Sequence, residues 1–443
     1  MFYINREAEL TTALLNKMIN RFNLNDKVRR QNYKNYYDGI QTILQKSYSD
    51  PTKPCNRTVI NYCANIVNSY AGYIASPSSI SYSSKQDISD IMEILRYNDY
   101  QAQDAAFLKD ALIYGVAAEL MYNDNTGHTR FRTINPTQCF GIYDDSLTGD
   151  LLYFVRMYKA NDWDDSDTYN VDVYSDFDIK HYTMTGTSGY LTFASEEPHY
   201  FSQCPANLFA LPDEKSIFDC ILTLQDAANE VVSCEIDELS QFADAYLTFT
   251  GVDADEDDVA SMKEQRVIVL PQGAAAQWLT KNSNDAQVEN ILKRIHDSIY
   301  RISQCVDFSS ESLMSGVSSG IAIRYKMSGQ ENRAGVIEAE MKKALQRRIE
   351  IICGIAALKL GEEVFRDVDI NFKRNIPEDY SSLVSLASSL HGVVSDATIL
   401  GLLPFVDDVN AELETLKKQK QENASLYNFG GTMPAEETED DSE

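Results

Sequence analysis

The chain has 443 residues, room for two to four compact units at roughly 150 residues each, and its 44% apolar and 24% charged residues are those of an ordinary globular protein. Its 39 Lys and Arg against 67 Asp and Glu leave a formal net charge of −28, which argues against a protein that grips nucleic acid by neutralising phosphates but not against one that surrounds DNA without holding it. No apolar run approaches the ~18 residues of a membrane helix, and Arg6, Glu7 and Glu9 interrupt the stretch where a signal peptide would be apolar, so the expectation is a cytosolic chain with no membrane partner.

In chain order, residues 58–74 place Val59, Tyr62, Cys63, Ile66, Val67 and Tyr70 on one helical face and stop before Pro77. Two further helices are expected over about 87–97 and 100–114. From about 116 to 201 the pattern changes to short runs rich in Tyr, Phe, Val and Thr, separated by Asn, Asp, Gly and Pro, which predicts an antiparallel β region with tight turns. Residues 213–250 contain neither Gly nor Pro, and Ile217, Ile221, Leu224, Ala228 and Val231, then Ile236, Leu239, Ala243 and Tyr246, predict an apolar stripe on a helix of about 33 residues, roughly 50 Å long. A short insert over 248–284 holds the strand-like RVIVLPQ and AAQWLT. Helical periodicity returns at Val288, Ile291, Leu292, Ile295, Ile299, Ile302 and Val306, and after a Ser/Gly loop at 307–320 again at Ile337, Met341, Leu345, Ile349, Ile352 and Ile355. A strand in VDINFKRNIP (368–377), helices over about 379–424 and an acidic tail at 425–443 complete the chain.

The motifs that carry chemistry elsewhere are incomplete here. The eight cysteines form no C-x-x-C pair and the five histidines no H-x-x-x-H, so the expectation is reduced thiols, no metal and no cofactor. Gly316-Val317-Ser318-Ser319-Gly320 matches the G-x-S-x-G elbow of serine hydrolases, with Asp369 and His391 following in triad order. However, the element before it is a helix where the elbow requires a strand, and no HGGG-type oxyanion motif lies upstream. Asp253, Asp255, Asp257 and Glu264 fall at calcium-loop positions 1, 3, 5 and 12, but Asp258 stands where the sharp turn calls for Gly. An acidic helix start explains the run as well. No phosphate-binding loop or dinucleotide fingerprint is present.

The order of elements resembles the portal, or head-to-tail connector, proteins of tailed bacteriophages. The resemblance is carried by NRTVINYCANIVNSYAGYIASPSSISY (56–82), FLKDALIYGVAAELMYND followed by INPTQCFGIYDD, the long helix, SSGIAIRYKMSGQENRAGVIEAEMKKALQRRIEII, and VDINFKRNIPED ahead of VSDATILGLLPFVDDVNAELE. It implies an α+β, predominantly helical chain with a β-containing wing (1–214), stem helices at 215–247 and 286–305 around a small α/β clip (248–285), a tunnel loop, long wing helix and returning strand (306–377), and a helical crown (378–424). It also implies a homo-oligomeric ring, usually of about twelve subunits closed by heterologous contacts, at a capsid vertex of the virion, assembled in the host cytoplasm. Double-stranded DNA would pass through it without sequence specificity. The implied protein partners are the terminase large subunit, an adaptor or head completion protein, and the major capsid and scaffolding proteins.

On this reading the chain is not an enzyme. Ser309, Ser310, Glu311, Ser315, Gly316, Ser318, Ser319 and Gly320 would form a loop reaching into the channel, with Arg324 and Lys326 behind it as phosphate contacts. Asp255, Asp257, Asp258, Arg266 and Trp278 would lie on the clip face that docks a motor or adaptor. The competing readings are a serine hydrolase and a non-viral helical scaffold.

Overall fold

The structure, a computed structural model, packs apolar side chains on both faces of one mostly antiparallel sheet in its first half. It describes residues 2–427 apart from 52, 77–78, 161–162, 164–166, 188, 243–245, 252–272, 280–284, 309–324, 356–363, 375–379, 402, 404–405 and 407–408. Contacts divide the chain into a large unit, residues 1–317 with 322–375, and a small unit built mainly from residue 376 onward.

The large unit is centred on a six-stranded sheet of order β1-β5-β6-β7-β8-β9. Its strands are β1 (Phe2–Ile4), β5 (Cys139–Asp144), β6 (Leu151–Lys159), β7 (Thr168–Tyr174), β8 (Asp178–Thr185) and β9 (Leu191–Pro198). All neighbours are antiparallel except β1 with β5, where Phe2 to Ile4 pair in parallel with Ile142 to Asp144. Side chains alternate along a strand, and both faces carry buried side chains over β5, β6 and β7, whereas β9 is largely exposed. Phe140, Ile142, Val155, Met157, Val171 and Val173 meet Leu15, Met18, Ile19 and Phe22 of helix α1 (Thr12–Leu24) on one face. Cys139, Leu151, Phe154 and Tyr174 meet Ala118, Leu120 and Ala206 on the other. Those last three belong to a second, antiparallel sheet of order β10-β3-β4, with β3 at Val116–Asn123, β4 at Thr129–Ile134 and β10 at Ala206–Ala210.

Helices α2 (Asp26–Tyr37), α3 (Tyr62–Ile74), α4 (Ser89–Tyr97) and α5 (Tyr100–Tyr114) complete the first half. Thr11 Oγ1 accepts from the Leu14 N–H at the start of α1, and Asn61 Oδ1 from the Ala64 N–H at the start of α3, each satisfying a donor the helix end would leave unmade. Gly115 ends α5 at φ +79°, and a Cβ there would strike the Glu214 carbonyl, so both conformation and space require glycine.

Helices α6 (Leu222–Phe242) and α7 (Asp285–Ser303) pack on each other, and between them β11 (Tyr246–Thr250) and β12 (Ala275–Leu279) form an antiparallel pair. The expected helix of 33 residues is therefore one of 21, about 32 Å long at 1.5 Å per residue. Residues 212–221 fold instead as two short 3-10 turns, with Asp213 and Glu214 at positive φ. Ile217, Phe218 and Ile221 are buried all the same, which is why an apolar period ran through a stretch that is not α-helical. Helix α8 (Ser328–Cys353) buries Ile337, Met341, Leu345, Ile349 and Ile352 as its spacing predicts. The returning strand β13 (Val368–Phe372) pairs antiparallel with β2 (Ile80–Ser84). The small unit contains α9 (Tyr380–Leu390), α10 (Asp396–Gly401) and α11 (Val409–Tyr427).

Candidate functional site

The helix pair α6 and α7, the hairpin joining them and the segment that follows α7 are where sequence reasoning placed the function. The face of α6 turned to the N-terminal half is polar. Gln225, Asn229, Ser233 and Asp237, spaced by four, are all buried. They accept hydrogen bonds from alternate backbone N–H groups of an extended segment: Tyr62 to Gln225 Oε1 (3.0 Å), Ile60 to Asn229 Oδ1 (2.9 Å), Thr58 to Ser233 Oγ (3.0 Å) and Asn56 to Asp237 Oδ1 (2.6 Å). Four helical residues rise about 6.0 Å and two extended residues about 6.6 Å, so helix and segment stay in step over four rungs.

Several acids of this region face inward with it. Asp219 accepts from the Tyr33 hydroxyl (2.7 Å), and Asp226 from Tyr36 (2.9 Å) and Thr42 (2.7 Å). Burial and the bond to Asp226 push the Tyr36 phenol up to about 12. Desolvation opposes ionisation of Asp237, yet the bonds from Asn56, Lys46 and Tyr48 prevail and hold its carboxyl below the usual range. Glu230 and Glu238 lie on the exposed side of α6, Glu230 within 3.4 Å of Lys46. From Ser216 to Met262 the chain carries no Lys, Arg or His.

On α7, His296 and Tyr300 pack with Tyr62 in an aromatic cluster, with ring centroids 4.8 to 6.2 Å apart. His296 Nε2 lies 3.5 Å from Asp307, just past the helix end. That end is tied down. Gln304 turns the chain at φ +53°, Val306 N–H donates to Gln330 Oε1 of α8 (2.9 Å), and Arg333 of α8 donates to the Ser303 and Ile217 carbonyls (2.6 Å each). Both ends of the segment between α7 and α8 are thus stitched together.

Of the residues singled out from sequence, Lys326 is described, exposed and helical, just ahead of α8. Trp278 sits on β12 opposite Leu247 of β11. Ser309, Ser310, Glu311, Ser315, Gly316, Ser318, Ser319, Gly320 and Arg324, like Asp255, Asp257, Asp258 and Arg266, lie outside the described residues. Asp369 is on β13 in the large unit, while His391 follows α9 in the small unit. Among the described residues no group of His, Cys, Asp and Glu could hold a metal, and no helix is long and apolar enough to cross a membrane. Sequence reasoning missed the polar ladder, whose only signal was four hydrogen-bonding residues at a four-residue spacing, and the stitched root beyond α7, which links residues far apart in the chain.

Residues 17–426 match the family described as phage portal protein, SPP1 Gp6-like. The chain is 20% identical to the portal protein of Bacillus phage SPP1 over 98% of its own length and 91% of that protein. It is also 20% identical to the portal protein of Clostridium phage phiCD119, over 90% of its length and 95% of that protein.

Proposed function

Because the chain belongs to the SPP1 Gp6-like family of phage portal proteins, we propose that it is a non-enzymatic subunit of a ring at one capsid vertex, a channel through which viral double-stranded DNA is packaged and later leaves. The observation that carries this is the extent of the match. Residues 17–426 run from within α1 to the last turn of α11 and so take in nearly all of the described elements. The helix pair, in this reading, is the channel wall. Residues 248–285 at its tip dock a terminase motor during packaging and an adaptor or head completion protein afterwards, with Asp255, Asp257, Asp258, Arg266 and Trp278 on the docking face. The segment 307–320 reaches into the channel from the stitched root, with Arg324 and Lys326 behind it. Work on DNA is done by a separate ATPase, since no phosphate-binding loop occurs in this sequence. A channel with exposed Glu230 and Glu238 repels the phosphate backbone and avoids the salt-dependent adhesion that Lys and Arg produce.

Negative-stain microscopy of the purified full chain is expected to show rings with a central hole, in several orientations. A preparation that stays monomeric at every concentration and salt tested, and that fails to enter capsids assembled with it, would overturn the portal reading.

A further inference from the structure

Arg333 of α8 makes a two-pronged contact with backbone carbonyls. Among the described residues it pairs with no carboxylate, whereas Arg348 of the same helix pairs with two. Its guanidinium lies 5.8 Å from the centre of the Tyr70 ring, with one nitrogen on the Ser303 carbonyl and the other on the Ile217 carbonyl, each at 2.6 Å. The Ser303 carbonyl is at the C-terminus of α7, where carbonyls lack helical partners and the dipole favours a cation. Tyr70 reinforces the grip through its single hydroxyl proton, shared between the Ser303 (3.1 Å) and Gln304 (3.0 Å) carbonyls. Ile217 precedes α6 by five residues, and its own N–H is fixed to the Leu112 carbonyl of α5 at 3.1 Å.

We propose that Arg333 is a positioning residue that locks the root of the segment after α7 to both long helices at once, so that the root, the entry to α6 and the end of α7 move as one body. A planar fork with two separate, fixed nitrogens suits this role, whereas the three donors of a lysine ammonium sit on one nitrogen at the end of a flexible stem, which cannot occupy both Nη positions at once. The inference deepens the portal reading, on which its consequence rests: the loop in the channel would follow the helical wall instead of moving independently of it.

The test is hydrogen exchange on the full chain in its assembled form. Two sets of amides report on the two prongs: Gln304, bonded to Arg301, and Val306, bonded to Gln330, at the root; Asp219, bonded to Ser216, and Ile221, bonded to Phe218, at the entry to α6. Arg333→Ala is expected to raise exchange at least tenfold in both sets, with β6 and β7 unchanged. Arg333→Lys keeps the charge and is expected to restore protection in one set only. No change in the Ala variant, a response confined to one set, or full rescue of both sets by Lys would overturn the proposal. If the Ala variant loses protection in β6 and β7 as well, the Lys variant decides alone by the same rule. Microscopy of the wild-type chain reports on the ring separately, so failure of the ring and failure of the lock are distinguishable.

Discussion

Among the described residues Arg348 is the largest fully buried side chain, at 0% exposure. Its Nε donates to Glu119 at 2.8 Å, one Nη to Asp104 and, at 3.4 Å, to the Tyr82 hydroxyl, and the guanidinium lies 4.5 Å from the centre of the Phe131 ring. These partners come from α5, β3, β2 and β4, all within residues 80–134, so one side chain on α8 ties a distant helix to four elements of the first half of the chain. Burying ions costs several kcal/mol each unless they are paired, and removing one partner leaves the others uncompensated. Arg348→Met is therefore expected to lower stability by about 3–5 kcal/mol in urea unfolding. The triple variant Arg348→Met, Asp104→Asn, Glu119→Gln is expected to recover more than half of that loss, because it removes the stranded charges too. A single variant as stable as wild type would show that the cluster contributes little.

At the scale of elements, the ladder between α6 and residues 56–62 explains why one helix start was misplaced. Val59 and Tyr62 fit the helical period, so the sequence predicts a helix from residue 58, yet α3 begins at Tyr62. The N–H groups of Asn56, Thr58 and Ile60 are taken by side chains of α6, and a backbone held at alternate residues by an outside partner stays extended. The stripe on α6 was misread for a related reason. Ala228 is buried as expected, but Leu239 is 61% exposed, and the most deeply enclosed face carries Gln, Asn and Ser. Where the period alone decides, as at Ile337, Met341, Leu345, Ile349 and Ile352 of α8, the sequence reading agrees with the structure. It fails where a distant segment supplies hydrogen bonds, and it has no means of placing β1 beside β5, 135 residues or more away. Asn229 tests the ladder: Asn229→Leu keeps the approximate volume but leaves the Ile60 N–H without its acceptor. It is expected to cost about 1–3 kcal/mol, and Ser233→Ala, which strands the Thr58 N–H, a similar amount. Calorimetric unfolding of the two variants, each within a few tenths of wild type, would mean the segment is held by something else.

For the molecule as a whole, net charge −28 is too coarse a statement of how charge bears on DNA. Asp219, Asp226 and Asp237 are engaged with Tyr33, Tyr36, Thr42 and Asn56, so they fasten α6 to the N-terminal half and are not available to a passing duplex. The exposed acids of α6, Glu230, which lies 3.4 Å from Lys46, and Glu238, keep their side chains toward solvent and are the ones that could act on the duplex. The two groups predict opposite outcomes. Asp226→Asn weakens two charge-assisted bonds and is expected to lower stability by about 1–2 kcal/mol while the DNA content of filled heads is unchanged. Glu238→Lys, on the exposed side, is expected to change stability by less than about 0.5 kcal/mol while packaging stalls. The stall should ease as salt rises, because each new phosphate contact releases counterions and adds a slope of about −0.9 in log affinity against log salt, repeated on every subunit of the ring. Packaging assays with both variants across a salt series separate these effects. Normal filling of heads with Glu238→Lys at low salt would remove charge repulsion from the account of how DNA slides, leaving the shape of the channel to do it.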